Sequence, residues 1–579
     1  MFFFLTTGLL AQSAFLPLKD VKPGMRGTGK TVFSGGRIEE FQAEILGVLE
    51  NIGPQQSLIL ARLSGGPLGR TGVMQGMSGS PVYIGGKLIG AVAMAFPFAT
   101  EPIAGIRPIE EMVRAGGETS GQRPRGRVSL ADTDLTRPLP RPQEVLSGDA
   151  RMVDVATPVS FGGFTRATIE QFAPQLRTLG LEPRQGLSSG GRVDPRMGLP
   201  SALQPGSMIS VQLMAGDMSI GADGTVTHID GNRVYAFGHR FLAVGSTALP
   251  FARAEVIALL PTLSSSFKIS APKEVMGTIA QDRNTAVVGE LGLRTSMVPV
   301  SISVSRAGRR LASYNMRMVG DRFLSPLLVQ MAVYSSIDAT ERTVGAASFR
   351  VTGEIDLAGA ASPIKVNNMY SADNGAAIMA SLSTAVPLAY VLQSGFEALE
   401  VRKVSLAIES SAAKKQLQID QVTAARNQVR PGGKVALNVV LAGENGTEID
   451  RQLEYQVPVG ASPGPLYFTV ADGATTNLAE FRQIVGTTPH SIEQLIDTVN
   501  NLRANTKAYV RVWRADPAYQ IEGADLPDPP PSVALILGGA QGGSATIAQT
   551  RNSKVAELEL SAGDTIISGS KTIQVEVKE

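Results

Sequence analysis

Residues 71–96 read TGVMQGMSGSPVYIGGKLIGAVAMAF. Gly76-Met77-Ser78-Gly79-Ser80-Pro81 sets a serine between glycines directly ahead of an apolar run. SPVYIGG and KLIGAVAMAF then read as short strands broken by turns, and on the N-terminal side AEILGVLENIG and SLILARLSGGP repeat the pattern. Apolar-rich runs of about four to eight residues at this spacing predict a barrel or sandwich. A short helix over 108–114 closes the segment, with Pro108 at its first turn and Glu110 and Glu111 complementing its dipole.

Outward from this segment the chain alternates β-like stretches with Gly/Pro-rich connections. Residues 116–148 are rich in Gly, Arg and Pro without apolar period and read as a linker. TRATIEQFAPQLRTLG follows as a helix with Ile169, Phe172, Leu176 and Leu179 on one face and Gly180 as its stop. A second loop covers 182–203. SMISVQLMAG, GTVTHIDGNRVYAFGH, TAVVGEL and SMVPVSISVSR restore the strand pattern, with a helical run FLSPLLVQMAVYSS behind them. Residues 374–396 carry no charge, but Ser381, Ser383, Thr384, Pro387 and Gln393 dilute them, so they read as a buried helix kinked at Pro387 rather than a membrane span. After about residue 405 the alternation is cleaner, with Pro431-Gly432 and Asn445-Gly446 as turn signals, which predicts an immunoglobulin-like sandwich. Ser491 with Gln494 opens an amphipathic helix through a capping box, and two or three strands are expected past Pro531. The expected divisions are a signal peptide over 1–16, a serine-bearing half over 17–115, a linker with a helical insertion over 116–200, and a histidine-bearing half over 201–405. A β-sandwich over 406–475 and a C-terminal α/β extension over 476–579 complete them.

Composition bounds the chemistry. At 579 residues the chain is long enough for about four domains. Cysteine is absent, which excludes a disulfide framework, a thiolate metal site and a cysteine nucleophile. The histidines are His228, His239 and His490, so neither a catalytic metal nor another cofactor is expected. The formal net charge of +2 provides no field for nucleic acid or an anionic membrane. MFFFLTTGLLAQSAFL has the apolar block and small-residue zone of a secretory signal, too short to span a bilayer, which predicts a secreted or periplasmic bacterial protein.

Glycines around a serine let the backbone bend sharply, exposing the hydroxyl and turning N–H groups toward one point. Ser78 therefore fits a nucleophile, with an oxyanion hole from the N–H groups of Ser78 and of Gly76 or Met77. Ser80 is the alternative, less free because of Pro81. The base must be a lysine or a histidine. His239 stands at the end of DGTVTHIDGNRVYAFGHRFL, where a strand, an Asp230-Gly231 turn and a returning strand deliver it to a strand end beside Gly238. His228 lies mid-strand, and His490 precedes a helix.

The stretches 75–81 (QGMSGSP) with 86–92 (GKLIGAV), 224–230 (GTVTHID) with 236–239 (AFGH), and 276–291 (MGTIAQDRNTAVVGEL) together resemble the SpoIVB-type serine peptidases, the sporulation-protein B peptidases. The resemblance implies a mainly β fold, a chymotrypsin-like double β-barrel assembled from two separated segments. It also implies an acyl-enzyme peptidase acting on protein or peptide substrates, with Ser78 as nucleophile, His239 as general base and Gly76 and Ser78 as backbone oxyanion donors. Two features depart from the family. The serine segment precedes the histidine segment, a permuted order that a triad tolerates because geometry defines it. The family's triad aspartate falls at Leu63 or Ser64, and no acidic residue occurs from 57 to 76. Asp282 is a candidate for that role, although a turn salt bridge with Arg283 also accounts for it. A second reading follows from the missing acid: a catalytically weak or inactive binding or assembly protein of the cell envelope, engaging a protein partner through its C-terminal sandwich. A third keeps the catalytic pair and makes the substrate an ester.

Overall fold

In the computed structural model, residues 14–96, 99–117, 128–130, 135, 144–147, 150–185, 193–262, 265–341, 344–484, 489–516, 518–521, 524–526, 529–539, 547–550 and 552–579 are described. The expected signal peptide lies outside them as far as residue 13, as does most of the 116–148 linker. The chain divides into two compact units. The first comprises Met1–Val128, Asp134–Val300 and Tyr314–Ser335, the second Ser129–Thr133, Ser301–Ser313 and Ser336–Glu579.

The first unit holds two rings of antiparallel strands. β1 (Arg26–Ser34), β2 (Arg37–Gly53), β3 (Gln56–Ser64), β4 (Pro81–Ile84), β5 (Lys87–Ala95) and β6 (Ile103–Pro108) follow one another in space as β4-β1-β2-β3-β6-β5, and β5 pairs back onto β4 to close a six-stranded barrel. Phe41, Ile45, Ile59, Leu63, Val82 and Ile106 fill it. α1 (Ile109–Gly117) leaves β6 directly, and Glu111 pairs with Arg107 at 3.3 Å and accepts the Ser57 N–H at 2.7 Å.

Between residues 116 and 200 strands accompany the helix. β7 (Ala150–Asp154) pairs with β5, setting Asp154 opposite Met94. A strand at Thr157–Gly162 joins the second ring, and the helix Arg166–Thr178 that follows is capped by Thr165, whose Oγ1 accepts the Thr168 N–H. The second ring is β8 (Met208–Gly216), β9 (Ser219–Asp230), β10 (Arg233–Ala236), β11 (Gly245–Leu260), β12 (Phe267–Arg283) and β13 (Ala286–Leu291). Its pairings run β8-β9-β10-β13-β12-β11, and β11 returns to β8. The fold is thus mainly β, with the expected pair of barrels.

In the second unit, strands Val344–Ala358, Ile364–Asn374 and Glu400–Ser411 form an antiparallel set. The uncharged stretch is the helix Ala376–Leu392 with Pro387 inside it. Among the described residues no helix is long and apolar enough to cross a membrane. The sandwich reaches beyond 406–475. One sheet takes Ile566–Ser568 beside Gln416–Ala424, and the other takes Lys507–Arg514, Ser553–Ser561 and Ser570–Val577 beside Gly464–Asp472. Leu437, Val439, Phe468, Val510 and Val575 share its core. The apolar run after Pro530 is a helix, Pro531–Gly539, and strands follow it in the tail. A short apolar run cannot distinguish the two by periodicity, and Pro531 at the first position favours the helix. Ser491 caps the helix Ile492–Asn500 as expected, its Oγ accepting the Gln494 N–H at 3.1 Å.

Candidate active site

The serine turn precedes β4, and residues 74–80 are all buried. Its carbonyls are taken by the second barrel. Lys268 N–H donates to the Gln75 oxygen (3.2 Å), Thr225 Oγ1 to Gly76 (2.9 Å), Thr225 N–H to Ser78 (2.8 Å) and Thr227 Oγ1 to Gly79 (2.7 Å). Gly79 sits at φ +90°, and a Cβ there would lie 2.0 Å from the Thr225 oxygen and 2.5 Å from the Phe237 nitrogen. Only glycine allows that backbone-to-backbone seat.

The N–H groups divide differently. Those of Gln75, Met77, Gly79 and Ser80 donate to the carbonyls of Ser266, Met74, Val92 and Met77. Those of Gly76 and Ser78 have no acceptor among the described residues. The Ser78 hydroxyl, fully buried, also has no partner among the described residues. Ser80 differs, because its hydroxyl donates to Thr31 Oγ1 at 3.0 Å. Buried polar groups without partners are rare in folded proteins, and a cluster of them invites an incoming ligand.

His239 follows β10 through Phe237 and Gly238, at φ +70° and +71°. The ring is 2 % exposed, with Nδ1 2.6 Å from the Arg240 carbonyl and Nε2 without a partner among the described residues. A carbonyl only accepts, so Nδ1 carries the hydrogen and Nε2 the lone pair. Burial lowers the basicity of the ring, Asp154 and the Arg240 carbonyl oppose that, and the Arg107 and Arg240 charges add to it. Those three charged residues line one small pocket with Gln56, Met94 and Asn284. Nε2 and Ser78 Oγ do not bond to each other here. Both belong to the first unit and both are shut away from solvent.

Residues 17–113 match the SpoIVB peptidase S55 family. The match spans the first barrel with its serine turn and ends before the second barrel and His239. No curated protein and no solved structure matches the chain.

Of the two positions where the resemblance sets the family's aspartate, Leu63 is fully buried in the barrel core and Ser64 is exposed. Asp282, also buried, does not replace it. Its oxygens accept the N–H groups of Phe241 (2.7 Å), Leu242 (2.6 Å) and Val244 (3.4 Å), and burial pushes its pKa up to about 6. The carboxylate thus fixes the loop that follows His239 without touching the ring. The ion pair expected with Arg283 does not form, since that guanidinium points to Gln281 at 3.5 Å. His228 stacks on Tyr235 and meets Phe15 edge-on beside β9, and His490 is exposed ahead of its helix. The sequence reading missed Thr225, Thr227, Asp154 and the Arg240 carbonyl. The two threonines were visible as the T-x-T of GTVTHID, but nothing in the sequence said that they grip the serine turn.

Proposed function

We propose that this chain is an exported serine endopeptidase with Ser78 as nucleophile and His239 as general base. The observation carrying this reading is the coincidence of open valences in one region: the Ser78 hydroxyl, the N–H groups of Gly76 and Ser78, and a His239 held in the tautomer that leaves Nε2 as acceptor. A base needs that lone pair, and an oxyanion needs those donors. Ser78 Oγ bonds to the scissile carbonyl carbon while its proton passes to Nε2. The oxyanion accepts from Gly76 and Ser78. Collapse breaks the C–N bond, the proton moves from Nε2 to the leaving amine, and water then hydrolyses the ester.

The burial of both side chains means that substrate must open the cleft before Oγ and Nε2 meet. That same closure favours a second reading, a peptidase-like binding or assembly protein of the envelope with little turnover. Labelling with a fluorophosphonate separates them. The peptidase predicts a labelled wild type, and no labelling of Ser78→Ala or His239→Ala. Labelling that survives Ser78→Ala rejects the nucleophile, and an unlabelled wild type favours the binding protein.

Export rests on the apolar N-terminal block. Leu88 N–H donates to the Ala14 oxygen and Leu16 N–H to the Leu88 oxygen, while Phe15 packs edge-on to His228. A cut at or before Ser13 therefore keeps this bridge, whereas a cut after Leu16 removes it. N-terminal sequencing of the exported protein distinguishes the two.

A further inference from the structure

The second unit carries a groove of about 860 Å³, and every residue lining it belongs to that unit. A volume of that size is ample for a ligand site. Its floor is one face of the uncharged helix Ala376–Leu392. Met379, Leu382, Ser383, Val386 and Pro387 recur at the spacing of a single helical face, and all five line the groove. Leu478 and Val499, on the helices Gly473–Ile484 and Ile492–Asn500, extend the apolar surface. Met379 is 48 % exposed and Leu478 40 %, so much of this surface stays open. Charge argues against an ionic ligand. Of the cations lining the groove, Arg350 is paired with Asp564, Arg503 with Glu480 and Glu557, and Lys507 with Glu559.

One wall is the strand Ile364–Asn374, which pairs with Val344–Ala358 and, among the described residues, with no strand on its other side. Asparagines plug its outward backbone groups. Lys365 N–H donates to Asn500 Oδ1 (2.8 Å), Met369 N–H to Asn368 Oδ1 (2.8 Å), and Asn505 Nδ2 donates to the Met369 oxygen (3.2 Å). The register from 365 to 369 is unbroken, so strand alternation turns the Asn367 backbone the same way. Its N–H and C=O have no partner among the described residues, and it is exposed at the groove. The chain itself shows what suits this surface. Leu130, half-buried, lines the groove from the short stretch 129–133.

A sheet edge with one open rung beside an aliphatic floor is suited to an extended polypeptide, held backbone to backbone and side chain to pocket. We propose that this groove docks an extended segment of a partner protein, whose backbone pairs with Asn367 and whose aliphatic side chain takes the place that Leu130 holds. Docking there is independent of whether Ser78 acts as a nucleophile.

Fluorescence anisotropy with a fluorescein-labelled peptide of residues 126–133, GRVSLADT, tests it on the full chain carrying Ser78→Ala, which cannot consume the peptide through that serine. Adding Leu130→Ser should tighten binding about tenfold, as expected of a groove that its own leucine leaves open about one-tenth of the time. In that chain Met379→Glu or Leu478→Glu should weaken binding about tenfold, as loss of one buried aliphatic contact does. Asn367→Pro, which removes the open N–H on the unpaired edge, should weaken it about fivefold, the equivalent of one hydrogen bond, while Asn367→Ala should not. Met379 and Leu478 are exposed, so their variants decide if Asn367→Pro does not fold. A peptide that does not bind the Leu130→Ser chain, or that binds its groove variants equally well, overturns the proposal. Equal affinity with and without Leu130, or equal binding of a peptide carrying Leu130→Asp, also overturns it. So does a dimer in sedimentation that Met379→Glu breaks, which makes a second copy the occupant, or a groove that takes a fluorescent fatty acid but not the peptide.

Discussion

Gly79→Ala tests whether the serine turn is seated on the second barrel as described. The added methyl would enter between the Thr225 oxygen and the Phe237 nitrogen, at 2.0 and 2.5 Å, groups that are themselves hydrogen-bonded to each other at 3.3 Å. Both belong to the β9–β10 hairpin of a closed ring, so neither retreats by more than an ångström without breaking pairing. The backbone at φ +90° adds about 1–2 kcal/mol for any L side chain. Loss of the Thr225–Phe237, Thr227–Gly79 and Thr225–Ser78 bonds adds about 1 kcal/mol each. The total is about 4–5 kcal/mol, or a fall of about 6–8 °C in the thermal midpoint of a unit this size. Gly85→Ala is the control, since it also has positive φ, +56°, but meets nothing within 4 Å. It should cost only about 1–2 kcal/mol. Circular dichroism melts of the two variants give the comparison, with fluorophosphonate labelling as the functional readout. Midpoints within about 2 °C of each other would refute the backbone-to-backbone seat.

Three further outcomes follow from the same coordinates. Asp282 has its acid pKa raised to about 6 by burial, so its contribution to stability is full below the ordinary carboxylate pKa and is lost as pH rises through 6, about 3 kcal/mol in all. Asp282→Asn should flatten that part of the thermal midpoint's decline between about pH 4 and 6, and an unchanged slope counts against it. Asp154→Asn removes the charge that supports His239 basicity, so the acid limb of the labelling-rate profile should move to lower pH, and movement upward or none would contradict the role. Arg503 bridges Glu480 and Glu557 in the second unit, so Arg503→Met should cost about 3 kcal/mol in the transition reported by Trp513, the chain's one tryptophan, stacked on Tyr467 at 4.5 Å. A Trp513 transition that does not move would show the bridge to be neutral.

What the sequence disclosed was whatever local chemistry determines. Alternation revealed the strands, Gly-Ser patterning revealed the turn before β4, and Ser491 with Gln494 revealed a helix start. What it concealed depends on partners far along the chain. The tail strands after residue 550 looked like an extension because nothing local says that Ile566 pairs in parallel with Gln416, or Val577 with Val429. Thr225 and Thr227 grip a turn nearly 150 positions away, |i−j| being 149 and 148, and that register is set by barrel closure rather than by either segment. The orienting group on His239 was invisible for a different reason. It is a backbone carbonyl, which every residue has, so no side-chain pattern could mark it.

That carbonyl bears on how the proposed pair would work. An orienting group on a catalytic histidine does two things: it fixes which nitrogen holds the hydrogen, and it stabilises the imidazolium formed when the serine proton arrives. The Arg240 oxygen, 2.6 Å from Nδ1, supplies the first in full, but it stabilises a cation as a dipole rather than as a charge. Asp154 makes up part of the difference through space, while Arg107 and Arg240 oppose it. Burial then leaves His239 a weaker base than an ordinary histidine, which favours its neutral, proton-accepting form. On the proposed reading such a base gains availability and loses driving force, which puts weight on the Gly76 and Ser78 donors, worth most when water is excluded. Closure of the site is consistent with that division. In the proposed mechanism, a site in which Ser78 and His239 are both shut from solvent gives each hydrogen bond its greatest strength.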